Sequence, residues 1–386
     1  TIEESELLLA KTYEADRIMY EFGTFPSFAI DNIEDCLYRA EKLSMLTMGE
    51  LLKIARVLRI SRLIKTSISR INEYLPLIKS YANDIFIAEA LEKDISSAII
   101  TDTDMSDNAS SALASIRKAI RKANERLRDK LNTYITSSEY SKYLQDNIIT
   151  KRGDRYVIPV KSEARSGIKG LIHDQSASGQ TVYIEPLAIV EMNNELKTLM
   201  LDEEREIERI LREFTVRVSL DARKILQNCE IVVELDIVFA KAAYCHEIKA
   251  KRPILNDKGY INIKKGRHPL IDKDKVIPIS IHLGKNFDIL LITGPNTGGK
   301  TVTLKLTGLL VLMAISGLFI PAEEESEIGF FTDIFCDIGD EQSIEQNLST
   351  FSSHIKNIVN IVERFNKKSL ILLDEIGAGT DPEEGA

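Results

Sequence analysis

Tryptophan is absent from the 386 residues, and cysteine, histidine and proline are scarce at 4, 5 and 10. The lack of Trp disfavours a single-strand reader built on stacking platforms, without excluding one. Cys36, Cys229, Cys245 and Cys336 lie far apart, with no C-x-x-C spacing. They read as reduced, mostly buried thiols of a cytoplasmic protein rather than a disulfide framework. The histidines form no metal-binding cluster in sequence. No run approaches the roughly 18 apolar residues that a membrane span requires. No signal peptide is visible.

What is present is charge, unevenly placed. The formal net charge is −9, which by itself argues against broad nucleic-acid binding. Residues 111–172, however, hold 14 Lys/Arg against 6 Asp/Glu, a net of +8 that leaves −17 for the remainder. A basic module on an acidic protein is a plausible footprint for a phosphate backbone.

The most informative segment is Gly294-Pro295-Asn296-Thr297-Gly298-Gly299-Lys300-Thr301, a full match to G-x-x-x-x-G-K-[ST]. The apolar run 288–293 before it predicts a buried parallel strand. The run from Thr301 through Leu304, Leu309, Leu312 and Ile315 predicts a helix. Strand, glycine loop and helix together are the context that makes a phosphate site. Backbone N–H groups of 296–300 would wrap the β-phosphate, aided by the positive end of the helix. Lys300 would reach the β- and γ-phosphates, and the Thr301 hydroxyl would hold Mg²⁺.

Such a loop needs a carboxylate at the end of a neighbouring strand. Leu370-Ile371-Leu372-Leu373-Asp374-Glu375 offers one, with four apolar residues that predict a strand buried on both faces. Asp374 would order Mg²⁺ through water, and Glu375 would polarise the attacking water. Adjacent side chains on an extended chain point oppositely. Both can serve one site only if the chain turns at Glu375, which Gly377-Ala378-Gly379 would permit. Between the two motifs, Ser349 precedes a helical stretch with Ile355, Ile358, Val359 and Val362. It reads as an N-cap that could also offer its hydroxyl to a phosphate.

Elsewhere the pattern is mostly helical. Residues 1–110 carry several apolar stripes, among them Leu51, Leu52, Ile54, Val57, Leu58 and Ile60, and have a loop at 101–108. Residues 111–148 and 187–228 predict two long helices of about 60 Å each. Between them, 155–160 and 181–185 alternate as strands, joined by Gly- and Ser-rich turns. Two long helices flanking a small β tip predict an antiparallel arm. Lys151, Arg152, Arg155, Lys161, Arg165 and Lys169 crowd that tip as candidate nucleic-acid contacts. The competing reading is a solvated face of a coiled arm. His173 reads as a hydrogen-bonding turn residue. His268, before Pro269, is extended.

These motifs resemble the MutS family. Thr293 through Thr301 is similar to its Walker A segment, Asp374-Glu375 to Walker B, and Ser349-Thr350-Phe351 to its signature motif. Gly266-Arg267-His268-Pro269-Leu270 resembles the opening of the MutS ATPase domain. Residues 337–346, 173–179 and 377–385 narrow the likeness to the second bacterial branch, MutS-two. The resemblance implies a multidomain chain: a helical core and lever over 1–110, clamp arms with a β tip over 111–228, a lever return helix over 229–258, and an α/β P-loop ATPase of the ABC type over 259–386. It implies ATP and Mg²⁺ as ligands and a homodimer in which Ser349 of one subunit closes on the γ-phosphate held by the other. It places His268 beside the adenine, with a structural turn as the equal alternative.

No mismatch-reading domain and no Phe-x-Glu wedge precede the helical region, so strict mismatch recognition is not expected. The switch histidine, the last ATPase strands and an Smr nuclease domain would lie past Ala386. The chain is therefore expected to be a piece of a longer protein that binds nucleotide better than it hydrolyses it. Three functions stay open: an ATP-gated clamp on branched or duplex DNA that restrains homologous recombination, an ATPase that rescues collided ribosomes, and a structural clamp without a processing role.

Overall fold

The computed structural model describes residues 1–22, 27–295, 299–338 and 347–375, with the side chains of 21–22 and 347–353 left aside. The chain divides into two units. Unit 1 comprises 1–28, 63–85 and 230–386, and unit 2 comprises 29–62 and 86–229. The first helices are α1 (Ile2–Phe22), α2 (Glu34–Glu41), α3 (Met48–Ser69), α4 (Pro76–Asp84) and α5 (Glu89–Ala98). Next come α6 (Ser111–Ile135), β1 (Thr150–Arg152), β2 (Arg155–Lys161), β3 (Gly170–Gln175), β4 (Thr181–Pro186) and α7 (Leu187–Glu247). The remainder holds β5 (Ile254–Asn256), β6 (Ile261–Gly266), β7 (Ile279–Leu283), α8 (Lys300–Ile315), β8 (Glu327–Gly329), β9 (Asp333–Asp337), α9 (Asn347–Arg364) and β10 (Ser369–Leu373).

In unit 2, α6 and α7 run antiparallel. Ser110 pairs with Glu206, Arg117 with Glu203 and Arg126 with Glu195, so one helix ascends as the other descends. The charged interruption at 202–206 is therefore used: Arg117 Nε donates to Glu203 at 2.6 Å. Below it, α2, α3 and α5 pack Leu37, Leu51, Ile54 and Ile95 against Ile210, Phe214 and Val218 of α7. A second cluster joins Leu127 and Leu131 of α6 to Ile158, Val160 and Ile184 of the tip sheet and Leu196 of α7. Fully burying side chains of this size contributes about 1.5–3 kcal/mol each.

The helix lengths differ from the sequence expectation. α6 stops at Ile135, well short of 148. There the Thr136 hydroxyl donates back to Asn132 O at 2.7 Å and the Ser137 hydroxyl accepts from Glu139 N. Such short polar side chains compete with the helical ladder. α7 runs on past 228 to Glu247, 61 residues or about 90 Å at the helical rise, rather than ending before a separate return helix. No Gly or Pro interrupts it, and Ile225, Val232, Leu235 and Phe239 continue its buried stripe. α3 and α7 each contribute to both units.

The tip sheet has order β1-β2-β4-β3, all antiparallel. The two foreseen strands are β2 and β4. The Gly- and Ser-rich linkers also supply β3, and His173 lies on that strand rather than in a turn.

Unit 1 holds a four-stranded sheet of order β5-β8-β6-β7 and a separate parallel pair, β9 with β10. Leu306, Leu310 and Val311 of α8 are buried with Ile263, Ile281, Leu370 and Leu372. Two strand expectations are corrected here. Residues 288–293 form no strand, and Ile289 and Leu291 are 85% and 81% exposed. β-propensity needs a ladder partner to become structure, and no described strand pairs with this run. β10 buries Leu370 and Leu372 but leaves Ile371 37% exposed, so it is covered on one face rather than both.

Candidate functional site

The two nucleotide motifs meet at the ends of α8 and β10. Gly299 precedes α8 with φ +80°, a left-handed turn that an L side chain would strain, and starts the helix at Lys300. The Thr303 amide and hydroxyl both return to Gly299 O, at 2.9 Å each, and close the first turn. Two turns on, Gly308 faces β10. A Cβ there would lie 2.6 Å from Leu372 Cδ1, so glycine lets α8 sit close on the strand. Positions seven apart share a helix face, and Thr301 thereby reaches the strand end: its hydroxyl donates to Asp374 Oδ2 at 2.6 Å, across 73 residues of sequence.

Asp374 itself extends the ladder by one bond, its amide donating to Asp337 O at 2.9 Å. Glu375, next along, has φ +47°. A left-handed conformation is uncommon for a non-glycine residue and costs roughly 1–2 kcal/mol. The chain thus turns at the position where two adjacent carboxylates need it to turn. Of the remaining expected residues, Gly294 has φ +145° and Pro295 follows it. Asn296, Thr297 and Gly298 lie outside the described residues, as do Gly377, Ala378 and Gly379. Ser349 lies in α9, which is described from Asn347. Its side chain lies outside the description.

His268 sits beside a cleft of ≈ 460 Å³ lined by Glu247, Arg267, Lys273 and Pro321 among others. None of the described P-loop residues lines it. His268 Nδ1 accepts from Leu270 N at 3.3 Å, which requires a neutral nitrogen there. Burial first, and then the charge of Lys305, hold the imidazole below its ordinary value of 6.5. The unfolded chain therefore takes up the proton first. This contribution to stability is complete above about 6.5 and is lost as pH falls through the folded value. An NMR titration should find His268 protonating below 6.5; a midpoint at or above that value would contradict the burial described. Arg267 is placed differently: its Nη2 donates to Lys249 O at 3.0 Å and caps the end of α7.

At the tip of unit 2, three of the six expected cations are already engaged. Arg155 Nη1 donates to both oxygens of Glu185, at 2.8 and 3.1 Å. Glu185 is 0% exposed and also accepts from Asn193 Nδ2, while His173 Nε2 lies 2.5 Å away. Arg155, expected as a nucleic-acid contact, is thus also the partner of a buried carboxylate. Arg152 stacks 3.6 Å above the Tyr183 ring and pairs with Asp174. Lys151 lies over the Tyr156 ring at 4.5 Å. Of the other three, Arg165 and Lys169 are exposed and Lys161 is half-buried.

Sequence reasoning assigned no role to the Asp337, His354 and Asn357 side chains. His354 Nδ1 lies 2.9 Å from Asp337 Oδ2, and Asn357 Nδ2 donates to Asp337 Oδ1 at 3.0 Å. The available signal was an i, i+3 polar pair on an otherwise apolar-striped helix. Among the described residues, no group of three or more His, Cys, Asp or Glu could hold a metal ion by itself.

Residues 290–386 match the family model for MutS domain V. Over 386 residues, or 99% of its length, the chain is 48% identical to the endonuclease MutS2 of Clostridioides difficile. The chain is a homologue of the MutS2 proteins. The MutS2 of Clostridium botulinum (strain Eklund 17B) is 48% identical over 98% of the chain, and that of Clostridium perfringens 49% over 98%. The chain spans about half the length of the curated relatives it matches: 49%, 48% and 48% of these three. MutS domain V is an ATPase domain, which implies ATP as its ligand, and its span contains Gly294 through Thr301 and Asp374-Glu375. Among the described residues, no helix of this MutS2 homologue is long and apolar enough to cross a membrane.

Proposed function

We propose that this MutS2 homologue is an ATP-hydrolysing clamp on branched or duplex DNA that restrains homologous recombination. The observation that carries the reading is the 2.6 Å bond between Thr301 and Asp374, which joins the two halves of a nucleotide site. A hydroxyl and a carboxylate are the hard oxygen donors that Mg²⁺ selects, so these two residues fit the ion and would hold it with phosphate oxygens. Bound there, Mg²⁺ would supply charge neutralisation for the phosphates. Lys300 supplies positive charge to the β- and γ-phosphates. Glu375, turned at its left-handed backbone, orients and deprotonates the attacking water. His268 borders the base. Ser349 completes the site of a second copy, so the working form is a homodimer in the bacterial cytoplasm.

ATP can drive closure only by binding the closed dimer better than the open one. α7, unbroken from Leu187 to Glu247, is the element that would carry that difference along the lever. We assign any DNA cleavage, the activity named for the relatives, to residues other than these 386. Lys161, Arg165 and Lys169 are the tip cations with no side-chain partner among the described residues, and they are the ones assigned to phosphate contact.

Replacing all three with alanine should weaken branched-DNA binding and flatten the log K against log salt slope by about 2–3. Their loss should leave ATP binding unchanged. An unaltered slope would remove the tip from the DNA interface. In the same salt, protein trapped with ATP should be retained on branched DNA. Co-sedimentation with ribosomes while branched DNA stays free would make ribosome rescue the function instead.

A further inference from the structure

Among the described side chains of α9, Ile355, Val359 and Val362 are exposed and Ile361 is buried. Two polar side chains one turn apart, His354 and Asn357, join the helix to β9. His354 Nδ1 meets Asp337 Oδ2 at 2.9 Å. Asn357 Nδ2 donates both to Asp337 Oδ1 at 3.0 Å and to Cys336 O at 3.2 Å. Asp337 is 8% exposed, so its carboxylate has little water to fall back on. Since a carboxylate only accepts, His354 Nδ1 carries the proton in this pair.

Asp337 ends β9, and β10 lies beside it in parallel register, Leu373 opposite Asp337. The carbonyl of Asp337 accepts from the amide of Asp374, and the Asp374 side chain accepts from Thr301. A continuous set of hydrogen bonds therefore runs from α9, through Asp337, to Asp374 and the first turn of α8. Hydrogen bonds are directional where apolar contacts are not. A helix stapled by them cannot tilt without pulling on the strand end it grips.

We infer that His354 is a positioning residue of the nucleotide site. With Asn357 it fixes Asp337, and through Asp337 it sets the backbone of Asp374, so that the helix bearing Ser349 and the carboxylate facing Thr301 move together. This rests on the ATPase reading above. In that reading Ser349 answers to the phosphate of a second copy, five residues upstream of His354 on the same helix. His354 touches neither nucleotide nor water in this role.

The test is steady-state hydrolysis and fluorescent-ATP binding on the full-length protein, for wild type, His354→Leu and His354→Asn. The asparagine amide can replace the Nδ1–H donor, whereas leucine fills similar space without one. A hydrogen bond to a charged group is worth enough to change a rate by about tenfold or more. His354→Leu should therefore lower kcat by about tenfold, with KM and ATP affinity held within about threefold. His354→Asn should recover most of the lost rate. Equal losses in binding and kcat, with no rescue by asparagine, would mean a merely structural role and overturn the inference. So would an undiminished kcat in His354→Leu. A wild-type protein that binds and hydrolyses no ATP would overturn the ATPase reading, and this one with it.

Discussion

Glu375→Gln should abolish nearly all ATP hydrolysis while ATP binding persists. The substitution keeps the shape of the side chain and removes its charge, so the phosphate-binding parts at Lys300 and Thr301 stay intact. What disappears is the group proposed to take a proton from the attacking water. General-base contributions of this kind are typically about 10²–10⁴ in rate. The position supports the size of the expectation. Glu375 follows Asp374 directly, yet its φ of +47° turns it out of the line of the strand. A fold does not keep a non-glycine residue left-handed at the end of a strand without some return. The check is single-turnover hydrolysis against nucleotide affinity in the same preparation. Hydrolysis surviving within about threefold would assign water activation to another group.

Glu185→Ala should be the most damaging single change in unit 2. The carboxylate is fully buried and accepts from Arg155 and Asn193, with His173 against its other oxygen. Truncation leaves the Arg155 guanidinium, among the described residues, with its bond to Asn194 alone. Breaking one side of a fully buried pair costs about 3–5 kcal/mol, and this is an upper bound here because the Arg155 side chain keeps 26% of its surface in water. Asn193 also loses a partner, and it is the residue that ties Tyr156 of β2 to α7 through both backbone groups of the tyrosine. Amide hydrogen exchange should therefore speed up in β2, β4 and the neighbouring turns of α7. Protection in α8 gives the internal comparison. Tip amides as slow as in the wild type would mean that Arg155 finds water without cost and that the network is dispensable.

The two replacements also separate what the tip and the nucleotide site contribute. Glu375→Gln leaves the tip sheet intact, so a trapped protein should hold its partner. Glu185→Ala leaves Thr301 and Asp374 in place, so it should bind ATP while losing its grip. A variant that lost both properties would mean that the two units do not fold independently of each other.

Much of the proposed nucleotide site is written in one dimension. The glycine loop, Lys300 and Thr301 are contiguous, and phosphate chemistry demands those residue types at that spacing. Asp374-Glu375 closes an apolar run for an equally local reason. The helical stripes of α3, α6 and α7 are likewise local periodicities, and β2 and β4 lie where strands were expected, although β2 is buried from Tyr156 to Val160 without alternating. The errors were of another kind. Helix ends were misplaced because Thr136 and Ser137 act through particular hydrogen bonds, which periodicity does not register. Residues 288–293 have every sign of a strand, but a strand is made by its neighbour.

By itself, then, the sequence determined which chemistry this chain can carry and where its helices and strands have the means to form. Both depend on short-range pattern and on backbone preferences. Only the tertiary structure decided which groups are free to use that chemistry. It brought Thr301 to Asp374 by letting Gly308 lie against Leu372. It paired Arg155 with the fully buried carboxylate of Glu185. It brought His354 of α9 against Asp337 at the end of β9. Each of these depends on which two surfaces meet, and the energy of a buried charge or hydrogen bond belongs to the pair rather than to either residue alone.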